Sequence, residues 1–254
     1  MASQGNYLRW ANIVAFITTL IVNGLSNTTL IGGKTTAEVS NSYPTLITPA
    51  GYVFAIWGII YILLGVFLVY QALPSQKDKP FQKQVSVLFI LTSVFNIVWL
   101  FFWQNELLPI SVAVIFAFLA SLIAIYLRLN IGKSNVGLKE KLCVHVPFSV
   151  YLGWVTIATI ANISVTLVSV KWDGFGLSLQ TWAILVLSVA LILDLAVVAT
   201  RKDIAYSFVF IWALVGIGIN QAANPSIVLT SEIAVAIIAV VLVITVAFSR
   251  LRKK

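Results

Sequence analysis

The chain has 254 residues, of which 60% are hydrophobic and only 9% charged, with a mean hydropathy of +1.02. That balance excludes an ordinary soluble globular domain. A net charge of +8 would suit a nucleic-acid binder, but the placement of the cations, described below, assigns it to membrane topology and excludes that class.

Apolar runs recur along the whole chain, each close to the roughly 20 residues that cross a bilayer. They predict an all-α, polytopic helical membrane protein with about eight transmembrane helices, near 10–31, 50–73, 84–103, 108–127, 143–169, 178–200, 204–222 and 228–249. In the first span Asn23 and Ser26-Asn27 interrupt any signal-peptide core, so it reads as a retained helix. Residues 32–49 follow, rich in Ser, Thr and Asn, with a Gly pair and two prolines. They predict an irregular segment, either a lid over the bundle or a plain connector. Pro49 then stands near the first turn of the second span, where proline is tolerated. That span carries Trp57 and Tyr61 at i and i+4, on one face.

The third span places Asn96, Trp99 and Trp103 at i, i+3 and i+7. A basic loop between the fourth and fifth spans reads as a solvated anchor at an anionic leaflet. The fifth span is the most unusual, apolar enough for lipid yet bearing a Pro, a Tyr, a Trp and an Asn. Its Tyr151, Trp154, Ala158 and Asn162 project within roughly 80° of one another on one helix face. The sixth span holds Asp194, and the eighth starts with Glu232 near its end. Glu232 is close enough to an interface to be solvated. Asp194 is deeper, a candidate for pairing with the rim or for proton or ion coupling. In the seventh span, close packing accounts for Gly216 and Gly218 without a site.

Fourteen of the sixteen Lys and Arg fall on one side of the membrane under this assignment, leaving Lys34 and Lys171 opposite. The positive-inside rule then predicts a multi-pass protein with both termini cytoplasmic. Depth follows from that topology. Trp57, Asn96, Trp99, Trp154 and Asn162 share a level toward the outer side, where Asn23 also lies. Trp103, Trp172 and Trp182 fall at the outer interface and Trp10 at the inner one, as expected of interfacial anchors. The deeper rings are too far in for that belt, and an indole N–H in lipid wants an acceptor. The amides, by contrast, are equally explained as interhelical hydrogen bonds.

Three segments carry a family resemblance: P-A-G-Y-V-F-A-I-W-G-I-I-Y (49–61), N-I-V-W-L-F-F (96–102) and Y-L-G-W-V-T-I-A-T-I-A-N (151–162). They resemble the TspO/MBR family, the translocator-protein or tryptophan-rich sensory protein family. The resemblance implies a five-helix transmembrane bundle over residues 1–170, with 171–254 supplying three additional helices and a basic cytoplasmic tail. It implies a membrane receptor or carrier, acting in transport of or response to a hydrophobic small molecule, with porphyrin (tetrapyrrole) binding in a cavity open toward the outer side. The expected ligand positions are Trp57, Tyr61, Asn96, Trp99, Tyr151, Trp154, Ala158 and Asn162. Partners are then the lipid bilayer and the ligand, with no cofactor, and a homodimer is left open.

Catalysis lacks its parts. His145 has no second His or carboxylate at ligand spacing, which leaves a metal site or nucleophile dyad incomplete. No glycine-rich phosphate loop is present. Every Lys lies in a loop or tail, which excludes retinal photochemistry. The alternative to a receptor is a proton-coupled secondary transporter of a small solute that uses Asp194.

Overall fold

The computed structural model describes residues 2–251, with side chains from Tyr7 to Phe248 and at Leu251. Eight long helices run through it: α1 (Ala2–Ser26), α3 (Ile56–Ala72), α4 (Pro80–Gln104), α5 (Leu108–Arg128), α7 (Val146–Ser169), α8 (Leu179–Arg201), α9 (Ile204–Asn220) and α10 (Pro225–Leu251). Two short helices, α2 (Thr36–Ser42) and α6 (Leu138–Glu140), lie in connections, and no strand occurs among the described residues. Seven of the long helices are long and apolar enough to cross a membrane. The eighth, α9, has 17 residues, about 25 Å of helix, which is just long enough to span.

Punctuation in the chain sets the helix ends. Pro80, Pro109 and Pro225 sit in the first two positions of their helices, where a missing N–H costs nothing. Helix α7 is entered through a π turn, Lys141–His145, with the Val146 N–H bonded to Lys141 O. Pro147 cannot donate to the carbonyl four residues back, and the wider turn absorbs that loss. Helices α8 and α9 form a tight hairpin. Lys202 ends α8 in the left-handed region (φ 54°), and Asp203 caps α9 by accepting from the Ala205 and Tyr206 N–H groups.

Helix α3 starts later than the composition suggests. Pro49 and Ala50 lead into a 3-10 turn, Gly51–Ala55, and regular α-helix begins only at Ile56. The first helix likewise stops at Ser26, because Asn27–Thr29 turn away with Thr29 at φ 62°.

Helices α1, α3, α7, α5 and α4 form a closed ring in that order, each touching the next. Helices α8, α9 and α10 make a second group that joins the ring through α9 on α7. Helix α7 therefore has neighbours on nearly every side. Gly153 lets α9 come close, since a Cβ there would stand 3.1 Å from Tyr206 O and from Val209 Cβ. The polar residues of α7 do not form one exposed stripe. Thr156 faces α9, where it accepts from Tyr206 Oη at 3.3 Å, and Asn162 faces α5.

Candidate ligand cavity

Rings from three helices converge between α3, α4 and α7. Trp57 lies 6.0 Å from Trp99 and 6.1 Å from Trp154 between centroids, and Phe54 stands edge-on to Trp154 at 6.0 Å. Offset and edge contacts of this kind each add about 0.5–1.5 kcal/mol beyond burial. Between them runs a narrow crevice of only ≈ 30 Å³. Trp57, Trp99, Trp154, Ala158 and Asn162, five of the eight expected positions, line it.

The remaining expected residues lie elsewhere. Asn96 and Tyr151 stand behind the wall, both buried, with Asn23 Nδ2 donating to Asn96 Oδ1 at 2.8 Å and Asn96 Nδ2 donating to Tyr151 Oη at 3.5 Å. This set ties α1, α4 and α7 together. Tyr61 stacks on Trp57 at 5.9 Å and lines a second cavity, between α1 and α3, of ≈ 540 Å³. That groove shares Thr36, Phe54 and Trp57 with the crevice, so these side chains form a partition between the two spaces. Asp194 is far along α8 and lines neither space.

Donor pairing distinguishes the indoles. Trp99 Nε1 donates to Asn162 Oδ1 at 2.9 Å, and Asn162 Nδ2 in turn donates to Ser111 Oγ of α5 at 2.9 Å. Trp103 Nε1 donates to Thr36 O at 3.1 Å. Trp154 Nε1 is buried and has no partner. No charged side chain lines the crevice.

Trp103 corrects the sequence reading. It is only 3% exposed, stacks on Trp99 at 5.8 Å and lines the crevice, so it is no interfacial anchor. The cause is the segment over it. Residues 32–49 are ordered around α2, whose capping box pairs Thr35 N–H with Glu38 Oε2 (2.7 Å) and Glu38 N–H with Thr35 Oγ1 (3.3 Å). Those bonds, backbone first, hold the Glu38 carboxyl below its ordinary value. The segment is latched to the α4–α5 turn, where Lys34 Nζ lies 2.7 Å from Glu106 Oε1 and Tyr43 Oη donates to Glu106 Oε2 at 2.6 Å. The hydrogen bond from Lys34, and then that from Tyr43, hold the Glu106 carboxyl below its ordinary range. The bond to Glu106 raises the Tyr43 phenol. Gly32 fits against the end of α4 at φ 66°, where a Cβ would collide with Gln104 O.

The family comparison bears on all of this. A family model described as TSPO-like protein matches residues 9–246. The chain belongs to the TSPO-like protein family. The match continues past the five spans on which the resemblance rests and takes in α8, α9 and most of α10. No curated protein and no solved structure matches the chain significantly.

In this TSPO-like protein α9 is what holds the inner half of the covering segment. Gly216 O accepts from Ala50 N at 3.0 Å, and Trp212 Nε1 donates to Val53 O at 3.1 Å. Asn220 Nδ2 donates to Thr48 O at 3.0 Å, and Gln221 Nε2 donates to Thr45 O at 3.3 Å. These bonds fix the 3-10 turn that aims Phe54 at the crevice. All four acceptors are backbone carbonyls, which leave no trace in a sequence. The Ser/Thr-x-x-Glu pattern at Thr35–Glu38 was the one legible signal of order in the segment.

Proposed function

We propose that this TSPO-like protein is a membrane receptor or carrier for a flat hydrophobic ligand of the tetrapyrrole type. The ligand is held in the Trp- and Asn-lined cavity beneath residues 32–49. The observation that carries the reading is the buried, unpartnered Trp154 Nε1 in a wall where the Trp99 and Trp103 indole N–H groups are paired. A planar ligand that stacks on indoles and presents an acceptor satisfies it. The crevice is too narrow for a macrocycle as it stands. Displacing the Trp57 and Phe54 partition merges it with the α1–α3 groove, and pockets of about 300–1,000 Å³ are usual for such ligands. By the positive-inside rule the basic face is cytoplasmic and the cavity opens toward the other side. In this reading residues 1–170 form the binding bundle, and 171–254 form a second unit that braces it through α9.

The test is a porphyrin titration of the purified protein, read by Trp fluorescence. Saturable quenching is expected, weakened at least about tenfold in apparent affinity by Trp154→Ala or Trp57→Ala, the scale of a lost stacking or anchor contact. Saturable binding unchanged in both variants removes the site assignment, and absence of binding removes the ligand class.

A further inference from the structure

The hairpin α8–α9 contains two aspartates in opposite circumstances. Asp203 uses its carboxylate fully. One oxygen accepts from Ser149 Oγ at 2.6 Å and Tyr126 Oη at 2.9 Å, the other from the Ala205 and Tyr206 N–H groups. Asp194 sits on the buried stripe of α8 with Ala190 and Val198 and is 0% exposed, yet neither of its oxygens has a hydrogen-bond partner. It lies seven residues from Arg201, the last residue of α8, about 10 Å along the axis.

Its surroundings offer no counter-charge. From α9 the groups facing it are the Ser207 hydroxyl, outside hydrogen-bonding geometry, the Asp203 carboxylate and the Tyr206 phenol. From α10 the sole charged residue between Pro225 and Phe248 is Glu232, near the far end of that helix. His145, which leads into α7, faces Asp203 and Lys141 rather than Asp194. No cation is ion-paired with Asp194 among the described residues. An ionised carboxylate there would be a dehydrated charge beside a second carboxylate, an arrangement that membrane interiors reserve for functional groups. A merely structural aspartate in this fold is satisfied as Asp203 is.

We propose that Asp194 is a proton-binding site within the membrane region, loaded with its proton in this structure and exchanging it with the basic face past Ser207 and Asp203. Ser207 is fully buried one turn beyond Asp203, and its hydroxyl makes only a long bond, 3.4 Å, to Asp203 O. It is therefore free to turn to the Asp194 carboxylate when the proton leaves. Asp203, at the helix end, is slightly exposed and reaches toward His145 and the aqueous rim. This inference is independent of the ligand cavity, which contains none of these residues.

A hydrophobic carbodiimide tests it, because the reagent partitions into the membrane and attacks carboxyl groups only in the protonated form. Treatment of the reconstituted full chain, followed by peptide mass analysis, is expected to place the adduct on Asp194. Labelling is expected to be several-fold faster at about pH 5 than at about pH 9, and absent in Asp194→Asn. No adduct on Asp194 at either pH, or equal rates at both, overturns the proposal. Thermal stability gives a second reading. A carboxyl that folds around its proton contributes stability at low pH that is lost as pH rises. The wild-type Tm should therefore fall as pH rises from about 4, the ordinary aspartate value, to about 7, and Asp194→Asn, which keeps the shape without the charge, should remove that fall. An identical fall in both proteins overturns the proposal. Unchanged porphyrin quenching in Asp194→Asn is expected, and it keeps a failure here separate from a failure of the cavity reading.

Discussion

Replacing Glu106 by Gln should loosen the segment that covers the crevice. The carboxylate accepts from Lys34 at 2.7 Å and Tyr43 at 2.6 Å, both charge-assisted contacts. In a buried place each would be worth about 1.5–3 kcal/mol. The Lys34 and Glu106 side chains are 39% and 32% exposed, so solvent screening reduces the ion pair to at most about 1 kcal/mol. Gln retains weaker, neutral bonds, which leaves a net loss of about 1–2 kcal/mol. If opening is local, the open population rises about 5–30-fold. Amide hydrogen exchange of α2 (Thr36–Ser42), followed by mass spectrometry, measures that population directly. The pH dependence has a defined sign. Glu106 is held below the ordinary glutamate value of 4.5, so its contribution is complete above that value and lost as pH falls through the lower folded value. Tyr43 is raised above 10.0, so its part is complete below that value and lost as pH rises beyond it. Once the intrinsic base-catalysed exchange rate is divided out, protection of α2 in the wild type should therefore be constant between those limits and fall beyond either. Exchange in Glu106→Gln within about twofold of wild type would refute the latch.

Two further outcomes follow from contacts on α9. Asp203→Ala removes the N-cap of α9 and the shared acceptor of Tyr126 and Ser149, so it should cost about 2–4 kcal/mol, seen as a lowered Tm. Gly216→Ala would place its Cβ 2.1 Å from Val53 Cγ2, which forces the 3-10 turn away from α9. It should destabilise by about 1–3 kcal/mol and weaken porphyrin quenching, although Gly216 lies outside the crevice. Retained Tm and quenching in that variant would show that α9 does not position the turn.

The spans were legible because lipid demands long apolar runs whose flanks carry the charge. Depth counted along those runs also brought Trp57, Trp99, Trp154 and Asn162 to one level, and the structure joins them there. Trp103 was misread for the same reason. Depth alone puts it at the interface, and only the folded segment above it turns that position into interior. Asn96 shared the right level and Tyr151 the right helix face, but their polar atoms meet between helices, behind the wall. Phe54 was hidden among 15 phenylalanines, and its role depends on a 3-10 turn held by carbonyls that any residue could supply. The hydrogen bonds from Trp212, Asn220 and Gln221 were equally silent, since a polar residue at a helix end has many ordinary uses.

The central claim is that a flat ligand sits against Trp154 between α3, α4 and α7. The chain has eight tryptophans, and selective nitrogen labelling of their indoles gives each a resolvable N–H signal. Adding a porphyrin should shift the Trp154 signal furthest, through a new hydrogen bond and the ring current of the macrocycle. Trp57 and Trp99 should follow, while Trp10 and Trp172 stay in place. Shifts confined to Trp10 and Trp172, with Trp154 unmoved at saturation, would contradict the account.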